Sequence, residues 1–284
     1  MPVNPVASFA TVLRADNPGP MTLDGTRSYV LRAPGATGCV VVDPGPDLDV
    51  HLQALADAGP VELVLVTHRH ADHTGGLARF RELTGAPSRA VLPEFCAPGT
   101  GRADVASGPL ADGEVLEVAG LRVEVLATPG HTADSACFVV LPGDADAPVV
   151  LTGDTVLGQG TTVLAEPDGS LRDYLASLDR IEARVAELGT DTTPVAGLPG
   201  HGPVRTDLGA AVRAYRAHRL ERLDQVRAAL SATLPAGAGL AVEGPLPDAL
   251  LDAVTRAVYA DVDPSVLLAA RSSVRAQLDF LRGR

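Results

Sequence analysis

The sequence predicts a layered α/β fold followed by a helical C-terminal segment, and three observations carry that expectation. Short Val- and Leu-rich runs bounded by Gly, Pro and Asp fill the first two-thirds of the 284 residues, the pattern of strands between turns. Amphipathic helical stretches are interspersed among them, a mixture that builds layered α/β architectures. Beyond about residue 213 the short apolar runs give way to long Ala- and Arg-rich helical pattern.

Taken in order, Phe9–Arg14, Tyr29–Arg32 and Cys39–Val42 are expected strands. Leu48–Ala58 places Val50, Leu52, Leu55 and Ala56 at helical spacing, and Val61–Val66 returns to strand pattern. His73–Leu83 is expected to be helical through Leu77, Phe80 and Leu83. Strands follow at Val115–Val118, Leu121–Leu126, Ser135–Leu141 and Val149–Leu151. A helix over Leu171–Leu188 carries Leu171, Tyr174, Leu175, Leu178, Ile181 and Val185 on one stripe, the periodicity of an amphipathic helix. A long helix from Leu208 to about Leu230, a Gly- and Pro-rich break, and helices near Asp248–Tyr259 and Pro264–Leu281 complete the chain. The expected domains are therefore 1–213 and 214–284, with charges of −13 and +1.

Composition narrows the chemistry. All 23 basic residues are arginine, so neither a Schiff-base lysine nor a P-loop lysine exists. Hydrophobic residues make up 46% and aromatics 3%, without tryptophan, so a sizeable core must rest on Ala, Val and Leu. Cys39, Cys96 and Cys137 are odd in number and form no CxxC, which argues against a disulfide framework or a thiolate metal site. The N-terminal stretch lacks the basic and apolar regions of a signal peptide. No apolar run approaches the roughly 18 residues of a membrane span. A soluble cytoplasmic protein is the expectation, with no membrane partner. A net charge of −12 disfavours extensive gripping of a nucleic-acid backbone, which draws on basic faces.

Five of the seven histidines carry the strongest signal. THRHADHTGG (Thr67–Gly76) sets His68, His70, Asp72 and His73 at H-x-H-x-D-H spacing, His131 lies in TPGHT, Asp154 in LTGDT and His201 in LPGHG. In each, an apolar strand ends, Gly or Pro turns the chain, and a ligand-type side chain follows. Chance would produce the first motif on the order of once in a few thousand such chains. An H-x-H pair past a strand can present two imidazoles to one borderline cation such as zinc. Asp72 and His73, at the next turn, can face a second ion, and two ions about 3.5–4 Å apart can activate one bridging hydroxide. His51 and His218, on helical stretches, read as structural.

The order HxHxDH, PGH, GD, PGH resembles the metallo-β-lactamase-fold superfamily over about residues 10–205, with DPG at Asp43–Gly45 fitting its usual beginning. The resemblance implies an αββα sandwich with metals at one edge. GDTVLGQGTT (Gly153–Thr162), LRDYLASL (Leu171–Leu178), the HRxxR of His218, Arg219 and Arg222, and the tail Asp261–Leu278 are similar to the β-lactamase-like protein 2 group. That likeness implies a small C-terminal helical, winged-helix-like domain. The chain stops at Leu281–Arg284, where a wing hairpin would begin, so a wing-less version that serves packing or a homodimer contact is expected.

Carried onto this sequence, the resemblance makes His68, His70 and His131 ligands of a first metal. Asp72, His73 and His201 become ligands of a second, with Asp154 bridging. Two divalent ions are expected, zinc first, with iron or manganese as alternatives. The implied activity is dinuclear hydrolysis by a metal-bridging hydroxide, with Asp72 orienting it and relaying its proton. A small ester or thioester is the preferred substrate, and the alternative is single-strand-specific endoribonuclease activity, as the group resemblance implies. Arg69, Thr161, Thr162 and Tyr174 are the candidate substrate contacts. Asp43 is the candidate support behind a ligand histidine, a common means of fixing its tautomer.

Overall fold

Residues 4–100, 107–143, 146–165, 168–190, 192–235, 239–240, 242–261, 263 and 266–283 are described by the computed structural model. The first sheet comprises β1 (Asn4–Ala7), β2 (Ala10–Arg14), β3 (Arg27–Leu31), β4 (Cys39–Val42), β5 (Val61–Leu65) and β6 (Ser88–Arg89), adjacent in chain order. It is antiparallel as far as β4 and parallel from β4 to β6. Parallel neighbours need crossovers, which α1 (Asp49–Ala56), α2 (Ala71–Thr74) and α3 (Leu77–Thr84) provide. The second sheet, in order β11-β10-β9-β8-β7, holds β7 (Val115–Val118), β8 (Leu121–Ala127), β9 (Ala136–Leu141), β10 (Val149–Gly153) and β11 (Ala196–Pro199). There α4 (Leu171–Leu188) is the crossover between the parallel pair β10 and β11.

Strand alternation generates the layers. On β4, Val40 and Val42 face the second sheet while Cys39 and Val41 face Leu52, Leu55 and Phe80 of the helices. On β9, Ala136, Phe138 and Val140 join the inter-sheet core, and Cys137 and Val139 pack toward α4. Both faces of each sheet are thus apolar, as sheets covered on both sides require. The result is a four-layer α/β/β/α sandwich.

One helix and three strands depart from the sequence expectation. The helix expected over His73–Leu83 is divided into α2 and α3 by Gly75 and Gly76. A Cβ at Gly76 would sit 2.7 Å from Leu52 Cδ2, so this break is where α3 closes onto α1. Strands β1, β6 and β11 were not expected. They are short, and β11 reads AGLP, but each is paired with a longer neighbour. The helix expected from Pro264 is described from Leu267, and Pro264 lies outside the described residues.

The C-terminal segment consists of α5 (Leu208–Thr233), α6 (Asp248–Val258) and α7 (Leu267–Leu281), and no strand occurs among its described residues. The helix α5 runs through residue 213 without interruption. Its first turns join the layer built on α4 through Leu208, Val212 and Tyr215, and Val226 packs with Leu251, Val254, Val274 and Leu278 in a separate small core. Among the described residues no helix is long and apolar enough to cross a membrane.

Candidate metal centre

Every ligand-type residue stands just past a strand end on one edge of the sandwich. Beyond β5 the chain reaches His68, His70 precedes α2, and Asp72 and His73 lie on α2. The turn between β8 and β9 holds His131, Asp154 directly follows β10, and His201 lies two residues past β11. Their ligating atoms form two groups, His68–His70–His131–Asp154 and Asp72–His73–His201, with the atoms of each group within 4.8 Å of one another.

The spacing tests the fit to a metal. His70 Nδ1 lies 3.1 Å from His68 Nε2 and 3.1 Å from His131 Nε2, and His73 Nε2 lies 3.3 Å from His201 Nε2. Zinc–nitrogen bonds of 2.0–2.1 Å at tetrahedral angles set ligands about 3.3 Å apart. Asp72 Oδ2 lies 3.1 Å from His201 Nε2 and 3.3 Å from His73 Nε2. Asp154 faces both groups: Oδ2 is 3.3 Å from His201 Nε2 and 3.7 Å from His131 Nε2, and Oδ1 is 3.5 Å from His73 Nε2. Oδ1 is buried without a hydrogen-bond partner among the described residues, as a ligand atom facing a cation would be. The donor set and its spacing fit divalent metal.

The rear nitrogens of His68, His73 and His131 are held as well, which orients the front ones. His68 Nδ1 is 3.0 Å from Thr67 Oγ1, His131 Nδ1 is 2.9 Å from the Val163 carbonyl, and His73 Nδ1 is 2.8 Å from Asp43 Oδ2. Asp43 also accepts from the Thr67 amide at 2.8 Å and from Thr67 Oγ1 at 2.7 Å. Thr26 Oγ1 donates to Asp72 Oδ2 at 3.0 Å.

Electrostatics differ between the groups. Burial pushes the imidazoles of His68, His70 and His131 down, toward the neutral form that binds metal. Burial opposes charge on His73 too, but the carboxylates of Asp154 and Asp43 outweigh it and hold that imidazole well above its ordinary range. In His201 burial is likewise overcome, by hydrogen bonds to Asp154 and Asp72, and its pKa is raised to about 9. Burial would raise Asp72 and Asp154, yet His73 and His201 hold both carboxyls far below the usual range. The carboxylates thus draw positive charge to this spot, the same demand a divalent cation meets.

The other candidates fall in different places. Arg69 is exposed and pairs with Asp168 at 2.8 Å. Thr161 is exposed. Thr162 is buried, and its hydroxyl donates to the Asp154 carbonyl at 2.7 Å. Tyr174 is wholly buried, its hydroxyl donating to the Thr155 carbonyl at 2.6 Å. Its place is the core beneath the site, which corrects the expectation of a substrate contact. His51 is buried with Nε2 at 2.8 Å from Ser28 Oγ.

Sequence reasoning passed over Thr26, Thr67 and Gly200. Thr67 sits inside the THRHADH motif and was findable there, whereas Thr26, just before β3, carries no local signal. A Cβ at Gly200 would lie 2.4 Å from Asp154 Oδ1 and 2.7 Å from His73 Cε1, which explains the glycine before His201.

A family model described as the metallo-beta-lactamase superfamily matches residues 21–188. The "Atrochrysone carboxyl ACP thioesterase" of Aspergillus chevalieri is 33% identical over 234 residues, covering 79% of this chain and 67% of that protein. The "Beta-lactamase-like protein 2 homolog" of Caenorhabditis elegans is 29% identical over 293 residues, covering 99% of this chain and 86% of that protein. Among solved structures, a beta-lactamase domain protein from Burkholderia ambifaria has a TM-score of 0.73 at 22% identity, covering 98% of this chain and 88% of that one. That likeness shows the fold.

Proposed function

This chain belongs to the metallo-beta-lactamase superfamily, and we propose that it is a hydrolase working with two divalent metal ions on a small ester or thioester. The observation that carries this reading is the pair of adjacent ligand groups with Asp154 facing both. His68, His70 and His131 would hold one ion, Asp72, His73 and His201 the other, and Asp154 would be shared. Nitrogen and oxygen donors without thiolate suit zinc, with iron and manganese also served by such a set. Such a pair of ions supplies Lewis acidity toward an acyl oxygen and makes water acidic enough to attack near neutral pH.

The protein's own residues do the rest. In hydrolysis the water oxygen bonds to the acyl carbon, the bond to the leaving oxygen or sulfur breaks, and one water proton must reach that leaving atom. Asp72 takes this proton: its side chain is 28% exposed against 11% for Asp154, so solvent and substrate reach it. Thr26 and His201 fix its orientation. Arg69, exposed at the edge of the site, meets an anionic end of the substrate by exchanging its Asp168 partner, and Thr161 lines the entrance. Residues 1–213 form the catalytic unit, and 214–284 a helical, winged-helix-like appendage.

The acyl reading is supported by the thioesterases of Aspergillus chevalieri and Aspergillus fumigatus, at 33% and 32% identity. The endoribonuclease reading is supported by the Caenorhabditis elegans relative, whose likeness extends through the C-terminal helices. Metal-loaded protein assayed on a thioester panel and on a short single-stranded RNA separates them, with Asp154→Ala as the control. Thioester turnover that Asp154→Ala abolishes, without RNA cleavage, is expected. RNA cleavage that needs Asp154 would replace the acyl reading, and cleavage that survives in the variant is contamination.

A further inference from the structure

Arg219 lies on α5, within the His218–Arg222 motif that the proposed chemistry does not use. It is 4% exposed, and no carboxylate among the described residues forms an ion pair with it. Its Nε has no hydrogen-bond partner there either. A buried cation without an acid is costly, so the contacts it does make are informative. Its guanidinium lies over the Tyr174 ring, 5.2 Å from the centroid, and donates to the Thr162 carbonyl.

That carbonyl belongs to the segment that supports one ligand group. Thr162 Oγ1 donates to the Asp154 carbonyl at 2.7 Å, and the next residue, Val163, accepts at its carbonyl from His131 Nδ1 at 2.9 Å. Tyr174, under the guanidinium, donates to Thr155 beside Asp154. The other group is held from elsewhere, by Asp43 behind His73 and Thr26 beside Asp72. The geometry points to Arg219 as a positioning residue through which the C-terminal helical segment sets His131 and Asp154, and hence the metal affinity of the His68–His70–His131–Asp154 group. The proposed two-metal reading is its premise.

The test uses zinc binding to the full-length chain, measured against a chelating dye, with melting temperature recorded alongside. An Asp72→Ala background leaves only the four-residue group complete, and a His131→Ala background only the other. Arg219→Lys keeps the charge but loses the planar stack. It is expected to weaken the four-residue group by about 10-fold and to change the other by less than about 3-fold, within the range seen when supports behind metal ligands are lost. Thr162→Val, which removes one hydroxyl and keeps the shape, is expected to give the same selective loss. Equal weakening of both groups, or lower melting temperatures with both affinities intact, would show a merely structural arginine and overturn the inference. A parent chain that binds no zinc would instead defeat the metal reading itself, and the inference with it.

Discussion

Asp43 takes a left-handed backbone conformation, φ 53°, which places its carboxylate against the Thr67 amide, Thr67 Oγ1 and His73 Nδ1 together. An amide cannot accept all three hydrogen bonds, because one of its heads only donates. Asp43→Asn is therefore expected to weaken zinc binding at the Asp72–His73–His201 group by about 10- to 100-fold, read by dye competition; unchanged affinity would contradict it. Gly200→Ala drives a Cβ to 2.4 Å from Asp154 Oδ1, and should abolish tight binding while circular dichroism stays that of the parent. A protein that still binds two zinc ions tightly would refute this. His51 gives a pH prediction. Burial pushes its pKa down to about 4, below the unfolded value of about 6.5. Its neutral form therefore favours the folded state above that value, and the stability is lost as pH falls from about 6.5 to about 4. The chain should lose about 2 kcal/mol between pH 7 and pH 5 through this residue, and His51→Asn should remove that share of the decline in urea unfolding. Equal pH dependence in both proteins would rule it out. The His68–His73 cluster was legible because its spacing is local. Thr26 was not, since it meets Asp72 across 46 residues of chain.

Among the elements, α4 was legible to the residue from its stripe alone, and the structure adds a cap. Its apolar stripe is long, and Ser170 caps it by accepting from the Asp173 amide, as N-cap serines do. Strand β11 was not legible, because Ala-Gly-Leu-Pro acquires strand geometry only by lying parallel to β10. Gly130 ties the two kinds of element together. It holds φ +133°, and a Cβ there would sit 2.4 Å from the backbone of Tyr174, so the His131 turn rests directly on α4. Gly130→Ala is expected to cost at least about 2 kcal/mol in urea unfolding, combining backbone strain with a backbone clash. A change below about 0.5 kcal/mol would mean that the turn and helix are not rigidly packed.

At the scale of the molecule, local pattern shows a layered α/β body followed by helices, and the four-layer order comes from the family resemblance. In the structure, strand alternation accounts for those layers, with one face of each sheet toward its partner sheet and the other toward helices. The helix α5 runs unbroken past residue 213 and packs first with α4, then with α6 and α7. The absence of lysine, which closes off amine and P-loop chemistry, has a counterpart in the structure: five histidines and two aspartates converge from both sheets on one edge. The net charge of −12 includes the two aspartates of that cluster, so metal binding would offset charge where the substrate arrives. Metal analysis of protein purified without added metal tests the central claim most directly. Close to two equivalents of zinc, iron or manganese per chain, with hydrolysis lost on chelation and restored on reconstitution, is the predicted result. Less than about half an equivalent, with hydrolysis indifferent to chelators, would contradict it.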